Sequence, residues 1–162
     1  MWKKIKSLAP TYAVSIAIPV AVGLLSALFT KDNMMLYEEI VTPPLAPPSI
    51  LFPIVWSVLY VLMGVSSGMV FHRREENPEA AASGLRYYAA SLILNFGWSI
   101  IFFNLGSFLF AFIWLLVLLY TIVRTIICYY KVSPIAAYLQ IPYAVWVTFA
   151  GYLNFAIWLL NG

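Results

Sequence analysis

The sequence predicts an all-α membrane protein, a bundle of five transmembrane helices with a Pro-rich first loop as its lid. Three observations carry this. The 162 residues are 64% hydrophobic and 9% charged, with a mean hydropathy of +0.92, whereas soluble domains carry about 25% charged residues. The apolar residues form long uncharged stretches, each near the roughly 20 residues that a helix needs to cross a hydrocarbon core of ~30 Å. The stretches are apolar all round and about twice the ~10-residue strands of an outer-membrane barrel, which alternate in polarity. Residues 1–162 are therefore expected to be one integral membrane domain with short connections.

The crossings are expected at about 8–30, 50–71, 87–104, 107–130 and 135–160. The first follows Met1-Trp2-Lys3-Lys4-Ile5-Lys6, which resembles a signal peptide, but its uncharged run is longer than an h-region of roughly 7–15 residues and no clear cleavage site follows. It reads as a retained helix. Asn104-Leu105-Gly106-Ser107 is the one plausible break between the third and fourth crossings, which predicts a tight hairpin.

Charge placement predicts orientation. Lys3, Lys4, Lys6, Arg73, Arg74, Arg86, Arg124 and Lys131 fall on one side, eight of the nine Lys and Arg, leaving Lys31 on the other. The positive-inside rule then puts the N-terminus in the cytoplasm and the C-terminus and first loop outside. Basic residues scattered at helix ends do not suggest a nucleic-acid partner. The loop over residues 31–49 holds four prolines in six residues, Pro43-Pro44-Leu45-Ala46-Pro47-Pro48. These cannot be helical and stiffen the backbone, which suits a lid or a spacer.

Hydrolytic and proton-coupled chemistry lacks its residues. His72 is the single histidine, beside Arg73 and Arg74, and Cys128 the single cysteine, so no metal cluster is expected. No carboxylate is expected within a helix, which leaves no proton relay and argues against ion-coupled transport. The helices instead offer aromatic and amide groups: Trp56 and Tyr60 one turn apart; Asn95, Trp98, Ser99, Phe102 and Phe103 at spacings of three and four; Tyr143, Trp146, Ala150 and Asn154 on one stripe. Rings to stack on and amides to orient suit a flat hydrophobic ligand. Lipid-facing belts or ordinary packing are the alternative for the aromatics, and interhelical bonding for Asn95 and Asn154. Trp2 and Trp158 belong to the belts. Gly64 and Gly68, and Gly23 with Ala27, have the spacing that lets helices approach closely.

Pro47-Pro48 with Phe52-Pro53-Ile54-Val55-Trp56-Ser57-Val58-Leu59-Tyr60-Val61-Leu62-Met63-Gly64 resembles the second helix of the TspO/MBR (tryptophan-rich sensory protein/translocator protein) family. Leu94-Asn95-Phe96-Gly97-Trp98-Ser99 with Phe102-Phe103 resembles its third, and Ile141-Pro142-Tyr143-Ala144-Val145-Trp146 through Asn154 its fifth. The resemblance implies a five-helix bundle, usually a homodimer, in a bacterial cytoplasmic membrane, surrounded by lipid. It implies a receptor or sensor for porphyrin (tetrapyrrole) or similar flat molecules, with no cofactor. The ligand-binding residues it implies, together with those on the same aromatic faces, are Tyr37, Pro47, Trp56, Tyr60, Asn95, Trp98, Tyr143, Trp146 and Ala150. A porphyrin-degrading enzyme using Trp56 and Trp146, or a porphyrin or lipid carrier, are the alternative functions. Leu36, Thr42 and Leu45 stand where the family commonly has tryptophan, lysine and tryptophan, so two aromatic lid contacts are absent. The tyrosine-then-basic cholesterol pattern is absent after Phe155, and cholesterol transport is not carried over.

Overall fold

The computed structural model describes residues Trp2–Gly162, with side chains from Leu8 onward; the expectations for Trp2, Lys3, Lys4 and Lys6 concern side chains outside that description. Every regular element among the described residues is helical. The long helices are α1 (Trp2–Thr30), α2 (Leu51–His72), α3 (Pro78–Ser99), α4 (Phe108–Tyr130) and α5 (Pro134–Asn161). A π turn, Ile100–Asn104, continues α3. The first loop carries a 3-10 turn, Lys31–Asn33, and a single helical turn, Leu36–Glu39, both ahead of its prolines.

Four segments are long and apolar enough to cross a membrane: Leu8–Asn33, Leu51–His72, Phe108–Tyr130 and Pro134–Asn161. This is an integral membrane protein. The third expected crossing, 87–104, is corrected in its bounds and is not among the four. Asn77 caps α3 by accepting a hydrogen bond from the Ala80 amide at 3.3 Å, and Pro78 occupies the first helical position. The helix therefore starts nine residues early and takes in exposed Glu79 and Arg86, the latter expected in a loop. Glu79 also corrects the expectation that no long helix holds a carboxylate. Ser133 and Pro134 start α5 by the same device.

Small residues set the helix contacts. A Cβ on Gly64 would meet the α1 backbone at Ile16, and one on Gly68 the Tyr12 ring, so this pair packs within the chain. Gly84 faces Tyr129 and Cys128, and Gly97 faces Trp114, joining α3 to α4. Cys128 is buried there as a small packing residue. Between these contacts Met63, Leu118, Ile122, Tyr129, Tyr143 and Val147 form the buried centre. Its polar groups are mostly paired: Ser66 Oγ donates to the Ala136 carbonyl at 2.7 Å, and Ser67 Oγ lies 2.8 Å from Tyr129 Oη. Arg124 stacks its guanidinium 5.3 Å from the Tyr87 ring centre.

Candidate ligand-binding cavity

The first loop is fastened at several points. Tyr37 is buried and donates its hydroxyl to the Pro47 carbonyl at 2.9 Å, while its ring meets Phe52 edge-on at 5.0 Å. Tyr152 of α5 donates to the Pro44 carbonyl at 2.8 Å, and the Asn161 amide brackets the Val41 backbone at 3.0 and 2.9 Å. Ser49 donates to Glu38 at 2.9 Å. The Pro43–Ala46 turn, closed by a 3.3 Å backbone bond, sets Leu45 at φ +69°. A leucine in this left-handed region is strained by roughly 1–2 kcal/mol, and the side chain projects outward.

Beneath the loop lies a cavity of about 490 Å³, within the roughly 300–1,000 Å³ of small-molecule sites. Tyr37 closes it from the loop; Phe52, Trp56 and Tyr60 line it from α2, and Trp98, Phe102 and Phe103 from α3 with its π turn. Ala150, Leu153 and Asn154 come from α5, and Gly23, Ala27 and Thr30 from α1. Trp56 and Tyr60 are stacked, with ring centres 5.6 Å apart and planes at 26°. Such parallel faces present a flat apolar surface.

The π turn matters to this wall. Leu105 N–H reaches the Ile100 carbonyl at 3.1 Å, five residues back, so one turn is widened. Trp98 lines the cavity from the regular helix, and the adjacent Phe102 and Phe103 line it from within the π turn. Asn104 then anchors α3 to α1 by donating to the Phe29 carbonyl at 3.0 Å and accepting from Asn33 at 2.9 Å.

Of the residues expected at the site, Tyr37, Trp56, Tyr60, Trp98 and Ala150 line the cavity together. Pro47 meets it only through its bond to Tyr37. Asn95 and Tyr143 lie behind the wall, both buried, with Asn95 Nδ2 3.5 Å from the Tyr143 hydroxyl. Trp146 packs on Phe52 and Phe149 at 5.8 and 5.6 Å between ring centres and does not line the cavity. Asn154 lines it but spends its amide on structure: it accepts from Trp98 Nε1 at 2.9 Å and donates to the Phe108 carbonyl at 2.7 Å. The α1 wall was not expected as part of the site. Its sequence signal is the Gly23–Ala27 pair, because a Cβ at Gly23 would collide with the Tyr60 ring.

The TspO/MBR family profile matches residues 15–159, a span that includes every long helix in whole or part and all walls of the cavity. The chain belongs to the TspO/MBR family. Relatives across the family include a tryptophan-rich protein TspO of Chlorobaculum tepidum, 38% identical over 152 residues, 93% of this chain and 96% of that protein. The protein CrtK of Rhodobacter capsulatus is 33% identical over 150 residues, 93% of this chain and 92% of its own length. The bovine translocator protein is 32% identical over 145 residues, 89% of this chain and 86% of its own. Membership agrees with the three motifs read from the sequence, which fall on α2, α3 and α5 of the TspO/MBR chain.

Proposed function

We propose that this protein is a membrane receptor or sensor that binds a porphyrin, or a similar flat hydrophobic molecule, in the cavity beneath its first loop. The carrying observation is the stacked Trp56–Tyr60 pair in the wall of a cavity of about 490 Å³ whose lining is mainly apolar, with Ser26, Thr30, Ser49, Ser57 and Asn154 as scattered polar groups. A tetrapyrrole would lie against these rings with Trp98 and Phe102 across from them. The loop, held by Tyr37 and Tyr152, acts as the lid, and Ala150 leaves the room that a larger residue would fill. The relatives' names, which speak of sensing and translocation, support a binding role.

In this reading α3 is the fifth crossing, its Arg86 and Glu79 lying near the membrane surface. The N-terminus is cytoplasmic, the first loop outside, and the protein works as one domain in a bacterial cytoplasmic membrane, as a homodimer and without a cofactor. Binding is favoured over oxidative breakdown of porphyrin because Trp146, one of the two tryptophans that the enzymatic reading needs, is separated from the cavity by Phe52.

The test is a titration of the protein in detergent with protoporphyrin, read by quenching of its tryptophan emission. Saturable quenching whose midpoint moves to about two- to tenfold higher porphyrin in Trp56→Leu supports the reading. Quenching that is absent, or unchanged in that variant, refutes it. Illumination of the bound complex then separates sensor from enzyme: a Soret band that bleaches faster than with a tryptophan-free control protein would favour the enzyme.

A further inference from the structure

The seam between α3 and α4 carries a charge that the bundle does not balance. Arg124 of α4 is partly exposed, its guanidinium 5.3 Å from the centre of the Tyr87 ring on α3 and bonded to the Tyr87 hydroxyl. Tyr87 in turn meets Tyr120 of α4 edge-on at 6.4 Å, so both tyrosines border the arginine. The titratable groups around Arg124 are these two phenols and the Cys128 thiol, and no carboxylate is among them. Its Nε is enclosed without a partner among the described residues, which leaves the two terminal nitrogens as the reachable part of the cation. None of these residues lines the cavity beneath the first loop.

Depth and neighbours specify what this cation meets. Arg124 lies six residues before the end of α4 at Tyr130, about 9 Å along the axis. The head-group zone of one leaflet is roughly 5–8 Å deep, so the guanidinium faces lipid heads rather than bulk water. A cation without a counter-ion at that level is best matched by a lipid of net negative charge. Deeper along α4, Tyr120, Val117 and Ile113 follow at helical spacings of three and four, and they are 57%, 50% and 50% exposed. Below the Tyr120 ring this stripe is apolar. From Arg124 to Ile113 it runs about 16 Å, close to the hydrocarbon depth of one leaflet. A two-fold contact through the same stripe would add a second cation and no anion. We propose that the α3–α4 seam at Arg124 holds the head of one anionic phospholipid from the leaflet at the Lys131 end, with an acyl chain along Val117 and Ile113.

The experiment is native mass spectrometry of the detergent-solubilised protein with dioleoylphosphatidylglycerol or dioleoylphosphatidylcholine. The wild type should retain one phosphatidylglycerol per chain about two- to tenfold more strongly than phosphatidylcholine, the effect of one lipid-facing arginine. Arg124→Gln should abolish the difference, and Arg124→Lys, which keeps the charge, should restore it. Arg86→Gln removes a charge of the adjacent surface and should leave the preference intact. Equal retention of the two lipids by the wild type overturns the proposal, as does a preference that survives in Arg124→Gln. A loss as large in Arg86→Gln also overturns it, since diffuse charge would then be the cause. Displacement of the lipid by inorganic phosphate would make this a free-anion site, and a dimer that carries no lipid would mean that a second copy covers the seam; either result overturns the proposal. Independently of any variant, phosphatidylglycerol with a diazirine on its acyl chain should label α4 between Ile113 and Tyr120. Labelling confined to other helices refutes the assignment.

Discussion

The Trp98 indole donates to Asn154 at 2.9 Å, and the same Asn154 amide donates to the Phe108 carbonyl at 2.7 Å, so one buried side chain ties α3, α4 and α5 together at the cavity wall. Each end of the amide makes one of these bonds, which fixes its orientation at the cavity wall. Asn154→Ala leaves the indole and the carbonyl unmatched. We expect a loss of about 1–3 kcal/mol, seen as a lower midpoint of thermal unfolding in detergent, with Asn154→Asp recovering only part of it.

The two tryptophans named by the family resemblance differ in position. Trp56 faces the cavity, stacked on Tyr60, whereas Trp146 stands behind Phe52. A porphyrin titration followed by the Soret shift should show Trp56→Leu binding about two- to tenfold more weakly, the value of one aromatic stack. Trp146→Leu should bind within twofold of wild type, to the order of magnitude that an indirect contact allows. The reverse ranking would mean that the ligand lies on the α5 side of Phe52.

Glycines with different neighbours should respond differently to a methyl group. At Gly64 the new Cβ meets the Ile16 backbone, which cannot rotate away; at Gly151 it meets only the end of Leu115, at 3.3 Å. Gly64→Ala should lower stability by roughly 1–3 kcal/mol through overpacking. Gly151→Ala should stay within about 1 kcal/mol of wild type and gain helix propensity. Unfolding in a denaturing detergent series checks both, and equal effects would refute the α1–α2 contact.

The first loop should respond to alkaline pH. Partial burial pushes the Tyr37 phenol above its ordinary value of 10.0, and its proton is the one donated to Pro47. A raised value means that the neutral phenol is favoured in the closed loop, so its contribution is complete below the unfolded value and is lost as pH rises through the folded one. Limited proteolysis of the 31–49 loop should be constant from pH 7 to about 10 and faster above it. Tyr37→Phe should cleave faster throughout and lose the pH dependence.

The aromatic motifs on α2, α3 and α5 were legible because helical spacing puts residues three and four apart on one face. Spacing does not say which face looks into a cavity and which into the core. Tyr143 and Trp146 therefore read as part of the same stripe as Ala150, although the structure turns only Ala150 into the cavity. The π turn at Ile100–Asn104 has no sequence signature, yet it brings Phe103 to the wall beside Phe102. The early start of α3 was signalled by Asn77-Pro78, a capping sequence masked by the charged residues around it.

Composition and motif order alone determined that this chain is an all-helical membrane protein of the TspO/MBR family, because transfer of apolar surface and backbone satisfaction in lipid depend on local sequence. Tertiary structure alone decided which aromatics share a cavity and that Asn154 is a structural clamp. These depend on helix rotation and close approach at glycines such as Gly23 and Gly64. Residues far apart in the chain set such contacts jointly, and no stretch of sequence contains them.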